Sequence, residues 1–122
     1  MYRISREFHF NYGHRLVNHQ GKCAGLHGHN ARVQIEISSE KLNPQDMVMD
    51  FDKIRETIGA WIEEVLDHKM ILCEKDPLVP MLQQAGEKMV LIKENPTAEI
   101  LARWIYQEAR KMRLPVSKIT LW

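Results

Sequence analysis

Residues 29–38 read HNARVQIEIS, a stretch in which apolar and polar side chains alternate without a break. The apolar positions of this stretch are Val33, Ile35 and Ile37. Successive side chains of a β-strand point to opposite faces, so the spacing predicts a half-buried strand of the kind found in antiparallel sheets. Residues 1–10 predict a second strand, because Phe8 and Phe10 are two positions apart and would lie on the same, buried face.

Two segments further along the chain have the apolar spacing of helices that pack on a sheet. The first covers residues 52–66, which Asp50 or Asp52 can cap. Its apolar stripe is Ile54, Ile58, Trp61, Ile62 and Val65. The second covers residues 98–112, with Thr97 as a natural N-cap. Its apolar stripe is Ile100, Leu101, Trp104, Ile105 and Ala109.

The rest of the chain is less regular. Residues 15–28 are polar and glycine-containing, which predicts a loop long enough to carry a site. Residues 82–84 predict a helical turn, residues 89–92 a short strand, and residues 116–122 a strand within which the sequence ends. The whole chain, residues 1–122, therefore predicts a single α+β domain in which an antiparallel sheet is backed by two helices. The open edges of such a sheet favour pairing with other subunits.

Composition and charge exclude several classes of function. The 122 residues include 17 basic and 16 acidic side chains, so no polycationic face is expected and nucleic acid is not an expected partner. The longest apolar runs have four residues, as in residues 70–73, far from the ~20 needed to cross a membrane. The amino terminus also lacks a signal-peptide core, which favours a cytoplasmic protein with no membrane partner.

The most informative stretch is CAGLHGH at residues 23–29. In extended backbone His27 and His29 project from the same face, so both imidazoles can reach one ion at the ~2.0–2.1 Å that zinc requires. His14 lies between the first strand and the loop, which makes it the best-placed third ligand. Three histidines leave one coordination position for water or substrate, the pattern of a catalytic zinc site.

The alternative is that a His-X-His pair consists of two strand histidines that form only local hydrogen bonds. A nearby cysteine and a third histidine across a glycine-containing loop favour the metal site. His9 and His19 lack a comparable group of neighbouring cysteine and histidine residues, and both are expected at the surface.

The two cysteines, Cys23 and Cys73, are too few for a disulfide framework. Cys23 can be a fourth zinc ligand, a small buried side chain, or a nucleophile or base beside the metal, and spacing alone leaves all three interpretations open. Cys73 follows three apolar residues and is expected in the core.

Asp67 and His68 directly follow the first predicted helix. A carboxylate beside an imidazole can orient the ring and make it a general acid or base. Helix ends also select such residues for their interaction with the helix dipole, and this interpretation is favoured on the residues alone. Thr97 and Glu99 likewise fit capping of the second helix.

Taken in order along the chain, these motifs resemble the pterin synthases, 6-carboxy-tetrahydropterin synthase and its sister 6-pyruvoyl-tetrahydropterin synthase. The Cys-X-X-X-His-Gly-His spacing, with Leu26 before the first histidine, looks like the carboxy branch. Asn11-Tyr12-Gly13 and the longer segment 74–94 depart from the usual pattern. The stretches that carry the resemblance are residues 8–16, 23–29, 49–51, 66–68 and 95–99.

The resemblance implies a T-fold, in which an antiparallel sheet carries two helices on one face and oligomerisation closes a barrel, as homotrimers that stack into hexamers. It implies a zinc-dependent lyase that converts 7,8-dihydroneopterin triphosphate to 6-carboxy-tetrahydropterin, releasing acetaldehyde and triphosphate, on the queuosine and deazapurine pathway. The alternatives are the sister reaction, which gives 6-pyruvoyl-tetrahydropterin, and a non-catalytic protein of the same fold that binds zinc or pterin. The glutamate that anchors the pterin in the family would fall just beyond Trp122.

The resemblance also implies roles for individual residues. Cys23 would abstract a proton, and Asp67 with His68 would form a second proton-transfer group contributed by a neighbouring subunit. The remaining roles are zinc binding by His14, His27 and His29, and contact with the pterin by Thr97 and Glu99.

Overall fold

A computed structural model describes all 122 residues and contains one five-stranded sheet. The strands are β1 (Tyr2–His14), β2 (His27–Ser39), β3 (Lys69–Cys73), β4 (Met89–Ile92) and β5 (Val116–Leu121). Their order across the sheet is β4-β3-β1-β2-β5. The predicted strands are confirmed, and β1 and β2 both extend further toward the loop that joins them.

The sheet is mixed, which corrects the expectation of a wholly antiparallel sheet. β1 pairs antiparallel with β2, and β2 with β5, whereas β3 is parallel to β1 and β4 is parallel to β3. The helix before β3 explains the direction: it begins beside Arg6, whose guanidinium donates to the Phe51 carbonyl at 2.7 Å, and ends beside Asn11. It therefore runs in the same direction as β1 and delivers the chain into β3 parallel to it.

Both predicted helices are present. α1 (Phe51–Ile54) continues through two π-helical segments, Arg55–Gly59 and Ile62–Leu66, as one continuous helix. α2 (Val79–Gln84) is short and α3 (Ala98–Lys111) is long. Of the two proposed caps of the first helix, the Asp50 carboxylate accepts from the Asp52 N–H at 2.8 Å. The Thr97 hydroxyl caps α3 by accepting from the Ile100 N–H at 3.1 Å.

The core lies between one face of the sheet and the two long helices. The strand residues Val33, Ile35 and Ile37 are all 0% exposed. The first helix contributes Ile54, Ile58, Ile62 and Leu66 to this core. Trp61 and Val65 of the predicted stripe are only partly buried against it. None of the helices is long and apolar enough to span a membrane.

A buried ion pair ties the loop after β1 to the segment before α2. The Arg15 guanidinium donates to both carboxylate oxygens of Asp76, at 2.7 and 2.6 Å, and the Asp76 side chain is completely buried. The Leu78 N–H donates to the same carboxylate at 2.8 Å. Because of the hydrogen bonds from Arg15, and despite its burial, the pKa of Asp76 lies below its ordinary value.

We expect Asp76→Asn to lower the free energy of unfolding by about 3 kcal/mol at pH 7, because it leaves a largely buried guanidinium without its counter-charge. The folded pKa of Asp76 is depressed, so its stabilisation is present above the unfolded value of ~3.9 and is lost as the pH falls through the folded value. The difference from wild type should therefore shrink in acid.

Urea unfolding of both proteins between pH 7 and pH 3 measures this difference. Asp52→Asn is the matched control, since Asp52 pairs with Arg55 at 3.4 Å on the surface and should cost less than ~1 kcal/mol. Equal losses in the two variants would contradict a stabilising role specific to the buried pair.

Candidate metal centre

Three histidines converge where β1 and β2 meet the loop between them. The antiparallel register places His14 opposite His27 and Tyr12 opposite His29. His14 Nε2 lies 2.9 Å from His27 Nε2 and 3.1 Å from His29 Nε2, and the ligand atoms of all three lie within 4.8 Å of one another. The predicted set of metal ligands is therefore brought together by strand register.

Backbone carbonyls set the tautomers of two of these rings. His14 Nδ1 lies 2.7 Å from the Pro96 carbonyl oxygen, and His27 Nδ1 lies 2.7 Å from that of Gly25. A carbonyl can only accept, so each Nδ1 carries the hydrogen and each neutral ring presents a lone pair at Nε2. Two lone pairs facing each other at 2.9 Å repel unless a cation lies between them. The group therefore fits a metal ion.

The surroundings of His14 favour this neutral form. Its side chain is almost completely buried, and desolvation lowers the pKa of the imidazole, an effect that the hydrogen bond to Pro96 partly opposes and the neighbouring His27 and His29 reinforce. The Tyr12 ring packs edge-on against His14, with centroids 5.0 Å apart. Burial and the two neighbouring imidazoles therefore favour the neutral form of His14, which is the form that can bind a metal.

Cys23 lies beside the metal centre. It is half-buried on a short 3-10 turn, Lys22–Ala24, and lines a cavity of about 330 Å³ together with His14 and His29. Its sulfur is not part of the ligand cluster, which contains only the three histidines. Thr97 and Glu99, at the start of α3, line the same cavity.

Asp67 and His68 are joined to β1 at a different place. The Asp67 carboxylate accepts from the Asn11 N–H at 2.8 Å and lies 2.9 Å from His68 Nδ1, while the His68 N–H donates to the Asn11 carbonyl at 2.6 Å. Chiefly because of the Asn11 hydrogen bond, and also through His68, the pKa of Asp67 lies below its ordinary value. Asp67 is thus a carboxylate that orients the ring of His68.

His68 has an unusual backbone and an exposed ring. Its φ angle is +59°, in the left-handed region, and 75% of its side chain is exposed. It lines a second cavity, of about 350 Å³, with Asn11, Gly13 and Lys88, and none of the three candidate metal ligands lies there. Within one chain, Asp67 and His68 are therefore separate from the metal centre.

Other predictions of the sequence have mixed outcomes. His9 and His19 are exposed, as expected. Cys73 is only half-buried and donates to the Lys93 carbonyl at 3.3 Å, which corrects its assignment to the core. The role of Pro96 was missed, because a proline marks a stop to regular structure and gives no sign that its carbonyl will meet a histidine.

Comparison with known proteins extends these observations. A family model described as 6-pyruvoyl tetrahydropterin synthase matches residues 3–122. The 6-carboxy-5,6,7,8-tetrahydropterin synthase of Rickettsia felis is 38% identical over 112 residues, covering 88% of this chain and 80% of that protein. The synthase of the same name from Haemophilus influenzae is 32% identical over 130 residues, covering 100% and 92%.

Solved structures give the same result for the fold. An uncharacterized protein from Wolinella succinogenes superposes with a TM-score of 0.84 at 25% identity, covering 99% of this chain and 92% of that one. The 6-pyruvoyl tetrahydropterin synthase of Caenorhabditis elegans superposes with a TM-score of 0.72 at 20% identity, covering 99% and 87%, which is a likeness of fold. The expected T-fold subunit is confirmed, and the chain belongs to the 6-pyruvoyl tetrahydropterin synthase family.

Proposed function

We propose that the protein is a zinc-dependent lyase that converts 7,8-dihydroneopterin triphosphate to 6-carboxy-5,6,7,8-tetrahydropterin on the queuosine and deazapurine pathway. A carbon–carbon bond of the substrate's side chain is cleaved and the carbon–oxygen bond of the phosphate ester is broken, so that acetaldehyde and triphosphate leave and one water is consumed. The curated relatives at 32–38% identity carry the name of this synthase, which supports this product over the 6-pyruvoyl one.

The observation that carries the proposal is the convergence of His14 Nε2 with Nε2 of His27 and His29, at 2.9 and 3.1 Å, beside a cavity that His14 and His29 line together with Cys23. Three neutral nitrogen ligands without a protein fourth ligand are typical of catalytic rather than structural zinc. Zinc bound there would supply Lewis-acid polarisation of the substrate's side-chain oxygens.

The residues of this protein would divide the proton transfers between them. Cys23, beside the ligands but outside their cluster, takes a proton from the substrate's side chain. His68, oriented by the Asp67 carboxylate at 2.9 Å, serves as the second proton-transfer group. Thr97 and Glu99 contact the pterin from the start of α3.

We further propose that the complete site forms between subunits of a homo-oligomer. Cys23 and His68 line different cavities of one subunit, so one substrate can meet both only if a neighbouring subunit supplies one of them. The outer strands β4 and β5 each have an open edge that can pair with another subunit and contribute to a barrel.

Incubation of the zinc-loaded protein with 7,8-dihydroneopterin triphosphate should release acetaldehyde and triphosphate in equal amounts and give a pterin with the mass of the 6-carboxy product. Cys23→Ala should lower kcat by about 100-fold or more while leaving zinc bound, because it removes a positioned base. Cys73→Ala is the control: Cys73 lies outside the cavity, so this variant should keep wild-type activity.

Product analysis separates the outcomes of this assay. A product with the mass of 6-pyruvoyl-tetrahydropterin would assign the sister reaction. Zinc and pterin binding without release of triphosphate would identify a non-catalytic binding protein. Loss of zinc from Cys23→Ala would make Cys23 a fourth ligand.

His27→Ala should weaken zinc binding by more than about 100-fold, because it removes one of only three protein ligands. Zinc per subunit, measured by elemental analysis after dialysis against a weak chelator, reports the effect. His9→Ala provides a matched control, since His9 is an exposed histidine of the same strand pair. Equal zinc contents in the two variants would place the metal elsewhere.

Mixing two inactive variants tests the shared site. If Cys23→Ala and His68→Ala subunits exchange in one oligomer, roughly a quarter of the sites receive an intact Cys23 from one subunit and an intact His68 from its neighbour. Activity should therefore rise after the mixture is dissociated and reassembled. An inactive mixture, despite subunit exchange shown by native mass spectrometry, would contradict a site shared between subunits.

A further inference from the structure

We propose that Asn95 is a positioning residue whose side-chain amide holds the segment carrying Cys23 at a fixed place relative to the metal centre. The inference rests on the proposed function for its catalytic consequence. Its structural part, that one amide restrains the segment 15–26, stands on the geometry of Asn95 itself.

Asn95 binds the backbone of Val17 as a neighbouring strand would. Its Nδ2 donates to the Val17 carbonyl at 3.0 Å, and its Oδ1 accepts from the Val17 N–H at 3.0 Å. The two residues are 78 positions apart in the sequence. The amide therefore satisfies both backbone groups of a loop residue that no strand pairs.

This contact is transmitted to Cys23 through one residue. Leu16, adjacent to Val17, donates its N–H to the Cys23 carbonyl at 2.8 Å. The Arg15 guanidinium holds the base of the same loop through Asp76 and reaches the Ala24 carbonyl at 3.5 Å. Three side chains thus restrain the loop: Arg15, Asn95, and His27 through the Gly25 carbonyl at 2.7 Å. Of these, only Asn95 belongs to the distant segment that also contacts His14.

Pro96, the next residue, completes the connection. Its carbonyl accepts from Nδ1 of His14, the central metal ligand, at 2.7 Å. Thr97 then caps α3, and its N–H donates to the Asn95 carbonyl at 2.8 Å, which fixes this tight turn. A single peptide unit therefore separates the group that holds the Cys23 loop from the group that orients a metal ligand.

Only an amide side chain at position 95 can both donate to the Val17 carbonyl and accept from the Val17 N–H. An aspartate at position 95 has no N–H to donate and would face the Val17 carbonyl oxygen with a second oxygen. An alanine would leave both Val17 groups to water, which the loop can tolerate because Val17 is only half-buried. Loss of the amide should therefore loosen the loop without unfolding the protein, since Arg15 and Asp76 remain paired.

The test compares Asn95→Ala and Asn95→Asp with a matched asparagine elsewhere. Asn43 also forms two side-chain hydrogen bonds to loop backbone, accepting from the Gln45 and Met47 N–H groups at 3.0 Å each, and it lies outside the metal cavity. We expect both Asn95 variants to lose about tenfold or more in kcat, with KM and zinc per subunit little changed, and Asn43→Ala to keep wild-type kcat.

Amide hydrogen exchange of the zinc-loaded proteins supplies a readout independent of turnover. Asn95→Ala should speed exchange at Leu16 and Val17, and alkylation of Cys23 by iodoacetamide, while alkylation of Cys73 stays as in wild type. Unchanged exchange at both amides overturns the inference, as does a fall in kcat accompanied by loss of zinc or matched by Asn43→Ala. An inactive wild type would instead defeat the proposed function, and exchange would still decide whether Asn95 holds the loop.

Discussion

The register of β1 against β2 is the constraint on which the rest of the molecule depends. The two strands pair without interruption from Tyr2 opposite Ser39 to His14 opposite His27. A slip of one residue would turn the fully buried apolar side chains of β2 into solvent, at a cost of about 1.5–3 kcal/mol for each. The same slip would turn His27 and His29 away from His14. Packing of the apolar core at one end of the hairpin therefore fixes the geometry of the ligands at the other.

Register alone does not make a metal site, because it brings nitrogen atoms together without deciding which of them carry hydrogen. The carbonyls of Gly25 and Pro96, which lie outside the strands at 2.7 Å from Nδ1 of His27 and His14, place the hydrogen on Nδ1 of each ring. Neutral imidazoles also leave the charge of a divalent ion undiminished, since no carboxylate belongs to the ligand cluster. The strands position the nitrogen atoms, and the loop carbonyls select the tautomer in which Nε2 of His14 and His27 can bind a strongly polarising ion.

Apolar periodicity predicted the strands and helices that bury one regular face. It did not predict strand direction or contacts between residues far apart in the sequence. The alternation at residues 29–38 and the stripes of the two long helices were sufficient to predict β2, the first helix and α3. Residues 69–73 were not predicted as a strand, and β4 was predicted without a direction, because short continuous apolar runs such as residues 70–73 and 89–92 fit a buried strand and a buried helix segment equally well. His27 and His29 could be paired by spacing, but the contacts of Pro96 and Asn95 span about 80 residues and leave no local pattern.

Asp67 and His68 are separated from the candidate metal ligands because the two groups lie at opposite edges of β1. His14 faces its partner ligands across the edge shared with β2. Asn11 turns both of its backbone groups toward the opposite edge, where Asp67 and His68 bind them before β3 begins. A left-handed backbone at a non-glycine residue costs about 1–3 kcal/mol, and the ring of His68 is too exposed to recover that energy by packing within its own subunit. The same strand thus presents three candidate metal ligands at one edge and an oriented imidazole at the other, which is the placement that the proposed shared site needs.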